Sequence, residues 1–341
     1  MSELEQFLSN LNQQQILIIG DVMVDAYMWG KVNRLSPEAP VPIVSVTHRE
    51  KRLGGSANVA LNIRSLGAQP IICSVLGNDD EAKDFLNILY RNDLDKRGIV
   101  LSEERITTVK TRVIGNQMHI VRVDEEDTTP LTPNEEKALM DRIRKIIKLL
   151  PINAIIFQDY DKGNITPQVI DEVTALAKQK GIITTVDPKH RNFANFHDVT
   201  LFKPNLKELK EGLNIDIDES STETMVRDLD HAASLLHERQ HIEIVLITLA
   251  SKGVYVCDFR NGTPRSLLIP AHLRSIADVS GAGDTVISVV TSALASGVNI
   301  ESAVHFGNLA GGIVCEQVGV VPIDKDRLIN ELQTVSEQMQ H

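Results

Sequence analysis

Ile16-Leu17-Ile18-Ile19 is an unbroken apolar run of strand length, closed by Gly20-Asp21. Comparable runs stand at residues 70–76, 154–157, 182–186, 199–202 and 243–248. A strand that is apolar on both faces belongs inside a sheet covered on both sides. Between these runs the apolar period lengthens to that of a helix, at residues 55–66, 80–90, 134–150, 167–179, 223–238, 282–295, 301–317 and 324–339. Thr132-Pro133-Asn134-Glu135 is a capping box with proline at the first helical position, which fixes where the helix at 134 begins. Strands alternating with helices predict an α/β fold with a mostly parallel sheet and helices on both faces.

Two stretches break the alternation. Residues 27–49 read as extended, with Ile43-Val44-Ser45-Val46 alternating and prolines at 37, 40 and 42. Residues 107–123 carry Val109, Arg112, Ile114, His119, Val121, Arg122 and Val123 around the turn-forming Gly115-Asn116, the pattern of a hairpin. They predict either a small second β-sheet or an edge meander of the main one. No internal repeat, low-complexity tract or linker interrupts the chain, so residues 1–341 read as a single domain.

Composition narrows the class without deciding the function. The 341 residues, 42% hydrophobic and 24% charged, supply a full globular core. A net charge of −11 argues against a nucleic-acid surface and requires an anionic ligand to be met by local cations. Cys73, Cys257 and Cys315 are odd in number and widely spaced, as in a reduced cytoplasmic protein. Residues 1–15 are polar, with Leu4, Phe7, Leu8 and Leu11 at helical spacing, unlike a signal peptide. No apolar run approaches membrane-spanning length. A cytoplasmic protein without membrane contact is expected.

The candidate chemistry lies at strand ends and at one helix start. Asp278-Val279-Ser280-Gly281-Ala282-Gly283-Asp284-Thr285 enters the apolar helix at 282. Its glycines let several N–H groups converge where the helix dipole is positive, a cradle for a phosphoryl group. A carboxylate at 284 would repel that anion unless it works on a proton, as a base toward an attacking hydroxyl. The plain alternative is a glycine-rich helix start with an ordinary first-turn acid. Asp21 and Asp25 follow the first strand, either as ligands for hydroxyl groups or as caps of a turn. Segments 159–163, 187–191 and 203–208 follow other strands and share one rim in such a sheet, placing Lys162, Lys189 and Arg191 where phosphates would lie. Asn205-x-x-Glu208 is a capping arrangement that needs no ligand. His237-Glu238-x-x-His241 matches a zinc-peptidase pattern, but at a polar helix end. Neither G-x-G-x-x-G nor a P-loop motif is present.

Residues 278–285 resemble the C-terminal signature of the PfkB (ribokinase-like) sugar kinases. Gly54-Gly55-Ser56-Ala57-Asn58-Val59-Ala60 resembles their N-terminal signature. Arg34 to Pro42 is similar to a segment of the D-glycero-D-manno-heptose 7-phosphate kinases of lipopolysaccharide-core synthesis. The resemblance covers nearly the whole chain. It implies a ribokinase-like α/β fold with a β-sheet lid from residues 26–50 and 106–124, often paired with a second subunit's lid in a homodimer.

The resemblance also implies roles. The substrates would be ATP and a sugar phosphate, heptose 7-phosphate phosphorylated at C1, with ribose, fructose or fructose phosphate as the alternative. Asp284 would be the base, and the amides of Gly281, Ala282 and Gly283 with that of Asp284 the anion hole. Asp21, Asp25, Arg34, Gly54, Gly55, Asn58, Arg122, Lys162 and Lys189 would form the sugar-phosphate site. Asn205 and Glu208 would place Mg²⁺ through water. Thr248, Ala250, Gly253 and Asn308 would lie along the nucleotide, and Asp278 beside a K⁺ ion. Ala250 departs from the family's glycine in Thr-x-Gly-x-x-Gly. Related kinases are often fused to a C-terminal adenylyltransferase, and the sequence ending at His341 is expected to carry kinase activity alone.

Overall fold

The computed structural model describes residues 2–116, 118–272 and 274–338. Residues 1 and 339, at the ends of the stretches expected to be the terminal helices, lie outside them. In chain order the elements are α1 (Glu3–Leu11), β1 (Gln15–Gly20), β2 (Val22–Leu35), β3 (Pro42–Gly55), α2 (Ser56–Leu66), β4 (Gln69–Gly77), α3 (Asp80–Arg91), β5 (Asp95–Ser102), β6 (Val109–Gly115) and β7 (Met118–Glu125). Then follow α4 (Pro133–Leu149), β8 (Ala154–Gln158), α5 (Pro167–Lys180), β9 (Ile183–Asp187), β10 (Leu201–Phe202), α6 (Leu206–Leu213), α7 (Thr222–Gln240) and β11 (Ile244–Thr248). The chain closes with β12 (Val254–Asp258), β13 (Arg265–Ile269), α8 (Ala282–Ala295), α9 (Ile300–Val314) and α10 (Lys325–Gln338).

Nine strands form the main sheet in the order β13-β12-β11-β10-β9-β8-β1-β4-β5. Pairing is parallel from β5 across to β11 and antiparallel at β11–β12 and β12–β13. Along β1 the side chains divide with period two. Ile16 and Ile18 join the core formed with α2, α8 and α9, and Leu17 and Ile19 that formed with α4, α5 and α7. Each of the four is fully buried, a contribution of ~1.5–3 kcal/mol apiece. This double covering is why the strand reads as a continuous apolar run.

The two extended stretches build a separate four-stranded sheet, β3-β2-β6-β7, so the edge-meander alternative fails. Its β2 and β3 strands are long, 14 residues each, and begin and end at the main domain, where Gly55 pairs with Val22. Two differences from the sequence reading are informative. The strand expected at 199–202 shortens to Leu201–Phe202, and β5, β12 and β13 appear where no strand was read. All three lie at or next to a sheet edge, and both β5 and β13 open with charged residues, which hides the apolar signal.

Candidate active site

The register of the parallel strands assembles the site. Gly20 pairs with Gln158 and Gln158 with Asp187, while the Lys203 N–H donates to the Val186 carbonyl and Thr248 bridges to Asn205. The C-terminal ends of β1, β8, β9, β10 and β11 therefore lie side by side, as ligand-bearing ends do in open α/β sheets. Helix α8 starts at this rim, capped by Gly281 with φ of 82°, a conformation that favours glycine.

Asp284, in the first turn of α8, is only 7% exposed. Its Oδ1 accepts hydrogen bonds from the Tyr160 hydroxyl (2.6 Å) and Gln158 Nε2 (3.1 Å), and its Oδ2 from Asn58 Nδ2 (2.7 Å). Burial pushes the Asp284 carboxyl up to about 6, opposed by the Tyr160 and Asn58 hydrogen bonds. The Ala282 N–H donates to the Val279 carbonyl at 3.3 Å. Of the expected anion hole, the Gly281, Gly283 and Asp284 amides have no such turn bond among the described residues and stand as donors with helix-dipole support, while the Ala282 amide is shared with that carbonyl. A side chain at Gly283 would stand 3.6 Å from Lys203 Nζ and 3.9 Å from an Asp187 oxygen, so this buried ion pair (2.9 Å) faces the helix start. The sequence reading quoted Tyr160, Asp187 and Lys203 among the rim segments but gave them no role. Gln158 was missed, although a polar residue closing an apolar strand was a usable signal.

The N-terminal signature folds around the same point. A Cβ at Gly54 would fall 2.3 Å from Asp25 Oδ2, and Gly55 has a φ of 61° with the Asp21 carbonyl pressed against it. Gly54 thus makes room for a carboxylate and Gly55 supplies the turn into α2, which carries Asn58 to Asp284. Gly54→Ala is expected to displace Asp25 and destabilise the fold by ~1–3 kcal/mol, read by thermal melts.

The two first-strand acids have different fates. Asp21 is fully buried and accepts from the amides of Tyr160 (2.8 Å), Lys162 (3.1 Å) and Asn164 (3.1 Å), so it shapes the 159–164 loop and the expectation of a sugar ligand is corrected. Asp25 instead pairs with the Arg112 guanidinium on the lid. On that sheet Asp25 aligns with Arg52, Lys110 and Asp124, and Tyr27 with Glu50, Arg112 and Arg122. This face looks onto the 319–320 turn, since Arg52 Nη1 donates to the Val320 carbonyl. Arg52 and Arg112 both lie over the Tyr27 ring, 5.0 and 5.3 Å from its centroid.

The expected phosphate cations are mostly engaged. Lys162 pairs with Glu126 (2.9 Å), Lys189 with Glu208, Arg122 with Asp124 (2.9 Å), and Arg191 donates to the Thr128 carbonyl (2.7 Å). For Lys189, burial works against the charge, but Asp187 and Glu208 outweigh it and raise the pKa. Arg34 is exposed near the tip of the lid hairpin, paired with Ile43, ~30 Å along β2 from Asp25. It stands apart from its own chain's site, and its expected substrate contact is corrected.

The nucleotide-side residues are likewise engaged in structure. Asn205 and Glu208 form a reciprocal capping box (2.9 and 2.8 Å). Thr248 ends β11. Ala250 adopts φ of 52° where the related loop has glycine, and Gly253 lies against the Ile269 carbonyl, where a Cβ would stand at 2.0 Å. Asn308 Nδ2 donates to the Pro270 carbonyl at 2.9 Å, joining α9 to the end of β13. Gly307 and Gly311 pack against Val290 and Val286 of α8. Asp278 accepts from the amides of Ser280 and Gly319 (2.9 Å each). Burial works against its ionisation, but these bonds prevail and lower its pKa.

The zinc-peptidase pattern does not assemble. His241 lies past the end of α7 with φ of 54°, while His237 bonds the Ile242 carbonyl through Nδ1 and stacks on Phe259. Among the described residues no group of three or more His, Cys, Asp and Glu side chains is placed to hold a metal, and no helix is long and apolar enough to cross a membrane.

The family model described as pfkB family carbohydrate kinase matches residues 13–326. Among curated proteins, the bifunctional protein HldE of Helicobacter acinonychis is 37% identical over 308 residues, 90% of this chain and 64% of the relative. Its namesake from Methylobacillus flagellatus is 37% identical over 319 residues, 94% and 63% of the two chains. The chain thus spans somewhat less than two thirds of the length of these relatives. Among solved structures, phosphofructokinase-2 from Escherichia coli in complex with fructose-6-phosphate superposes with a TM-score of 0.74 at 16% identity, covering 94% of this chain and 99% of that one. Arabidopsis thaliana ribokinase complexed with ribose and ATP gives 0.66 at 15%, covering 93% and 98%. At such identities these two likenesses bear on the fold, which is ribokinase-like.

Proposed function

The chain belongs to the pfkB family of carbohydrate kinases, phosphotransferases acting on a sugar hydroxyl, and from this we propose that it phosphorylates the C1 hydroxyl of D-glycero-D-manno-heptose 7-phosphate. The product would be the 1,7-bisphosphate, on the route to ADP-heptose and lipopolysaccharide core. The observation that carries the reading is the buried Asp284 at the start of α8, beside Lys203, with a lid face bearing Arg52, Lys110 and Arg112 turned to the 319–320 turn that packs against Gly281. The segment at residues 34–42 supports the heptose over other sugars.

In this reading Asp284 accepts the C1 hydroxyl proton as the new O–P bond forms and the bond from the γ-phosphorus to the β-phosphate oxygen breaks, releasing ADP. The Gly283 and Asp284 amides, the helix dipole and Lys203 stabilise charge on the transferring group. Asp25 and Asn58 meet sugar hydroxyls, and Asn58 Oδ1 is a buried acceptor without a partner among the described residues. Thr248, Gly253 and Asn308 line the nucleotide side. Mg²⁺, when bound, would supply positive charge to offset that of the nucleotide phosphates. Asn205 and Glu208 fit its water shell, because Glu208 is already shared with Lys189 and the Asn205 amide, and Mg²⁺ commonly takes few protein oxygens. Each Asp278 oxygen accepts one loop amide and keeps a second acceptor direction, so Asp278 would have room for K⁺ beside those amides, and no step is routed through that ion.

We also take the described residues as one cytoplasmic kinase domain that forms a homodimer through the lid. Edge strand β7 leaves Met118, Val121 and Val123 about half exposed or more, as are Leu35 and Val41 beside the hairpin tip. Sedimentation of the wild type against Val121→Lys with Val123→Lys tests this, a wild-type monomer being the contrary result. The function itself is tested by ADP release across free and phosphorylated sugars: turnover of the heptose 7-phosphate is expected, and turnover of free ribose alone would overturn it.

A further inference from the structure

The carboxylate of Asp284 is held unequally. Oδ1 receives two donors, the Tyr160 hydroxyl at 2.6 Å and Gln158 Nε2 at 3.1 Å, whereas Oδ2 receives only Asn58 Nδ2 at 2.7 Å. Each carboxylate oxygen has two acceptor directions, so Oδ1 is filled and Oδ2 keeps one. Beside Oδ2, the Oδ1 atom of Asn58 is buried and has no partner among the described residues. A hydroxyl arriving on that side finds both an acceptor for its proton and a second polar atom from the same side chain that steadies the base.

We propose that Oδ2 is the oxygen that takes the proton, and that Tyr160 is a positioning residue that fixes the carboxylate's rotation through Oδ1. The inference rests on the reading of Asp284 as the base. Tyr160 is itself fixed at three points. Its amide donates to the buried Asp21, its ring lies 5.8 Å from Lys189 Nζ, and its hydroxyl reaches Asp284. Asp21 therefore acts on the base at one remove, through the 159–164 loop. This gives the first-strand acid a task that its lack of exposure would not suggest. The rotation matters because a proton acceptor turned away from the attacking oxygen loses the in-line geometry of the transfer.

The charged and titratable groups facing Asp284 are Asp187 from the end of β9, and Tyr160, Lys189 and Lys203 from the loops after β8, β9 and β10. Burial raises the carboxyl, Asp187 raises it further, and Lys203, Tyr160 and the neutral Asn58 lower it. Loss of the phenol donor alone therefore moves the acid upward, in the direction opposite to simple loosening of the site toward water.

The test is Tyr160→Phe, which keeps the ring beside Lys189 and removes only the hydroxyl. Titration of the Asp284 carboxyl carbon by ¹³C NMR in substrate-free protein, its signal identified by its loss in Asp284→Asn, should show a midpoint about one unit higher in Tyr160→Phe. In kinetics, kcat should fall ~10–100-fold with the KM for ATP within about twofold, and the acid limb of the pH profile should shift by the same interval. Gln158→Ala, which removes the longer Oδ1 bond, should move both readouts less. An unchanged midpoint and acid limb, or a loss confined to the KM for ATP, would overturn the assignment. The kinetic arm uses whichever sugar supports turnover. A wild type inactive on the heptose phosphate would count against that substrate, while the NMR arm still judges Tyr160.

Discussion

Asp284→Asn is expected to lower kcat by ~10²–10⁴-fold while leaving ATP affinity within about twofold. The amide keeps the shape of the carboxylate and can still accept the Tyr160 hydrogen bond, but it cannot take a proton from the sugar. Turnover by the wild type should also be lost as pH falls through about 6. Burial raises the Asp284 carboxyl above its ordinary range, so the ionised base is present above that pH and protonated below it. The variant's residual rate should show no such limb. A loss smaller than about tenfold would remove Asp284 from the base role.

The second large effect concerns substrate choice. The kcat/KM for heptose 7-phosphate should exceed that for the unphosphorylated heptose, ribose or fructose by at least ~100-fold, the scale of a charge-assisted anchor remote from the reacting hydroxyl. The protein carries net charge −11, and most of the cations near the site are balanced by acids, so the anchor must come from a guanidinium with donors to spare. Arg112 is the best placed. It is partly buried, and only its Nη1 makes hydrogen bonds, to Asp25 and the Lys110 carbonyl, among the described residues. Arg112→Ala should therefore erode the preference by about tenfold or more, whereas Arg34→Ala should leave monomer catalysis nearly unchanged. Equal efficiency on free ribose, or a preference untouched by Arg112→Ala, would return the assignment to a general sugar kinase.

The sequence determined the parts of this protein that depend on local chemistry. Apolar runs such as Ile16–Ile19 announce a doubly covered strand because burial on both faces leaves no polar alternation to blur it. Thr132 and Asn205 mark helix starts because caps satisfy amides that no other neighbour can reach. Gly54, Gly55 and Gly281 were legible for a related reason: two signatures with little tolerance for a side chain stand out in any chain. What only the tertiary structure decided is which acids and cations remain free to act. Asp21 and Asp25 sit four residues apart with the same chemistry, yet one is consumed by three amides from residues 160–164 and the other meets a lid arginine. Lys162, Lys189 and Arg122 looked available as phosphate ligands until Glu126, Glu208 and Asp124 came to meet them. Glu126 and Glu208 come from 36 and 19 residues away along the chain, whereas Asp124 is Arg122's neighbour two residues on along β7. An ion pair depends on a distance of a few ångströms, which sequence spacing does not encode once the chain has folded back on itself.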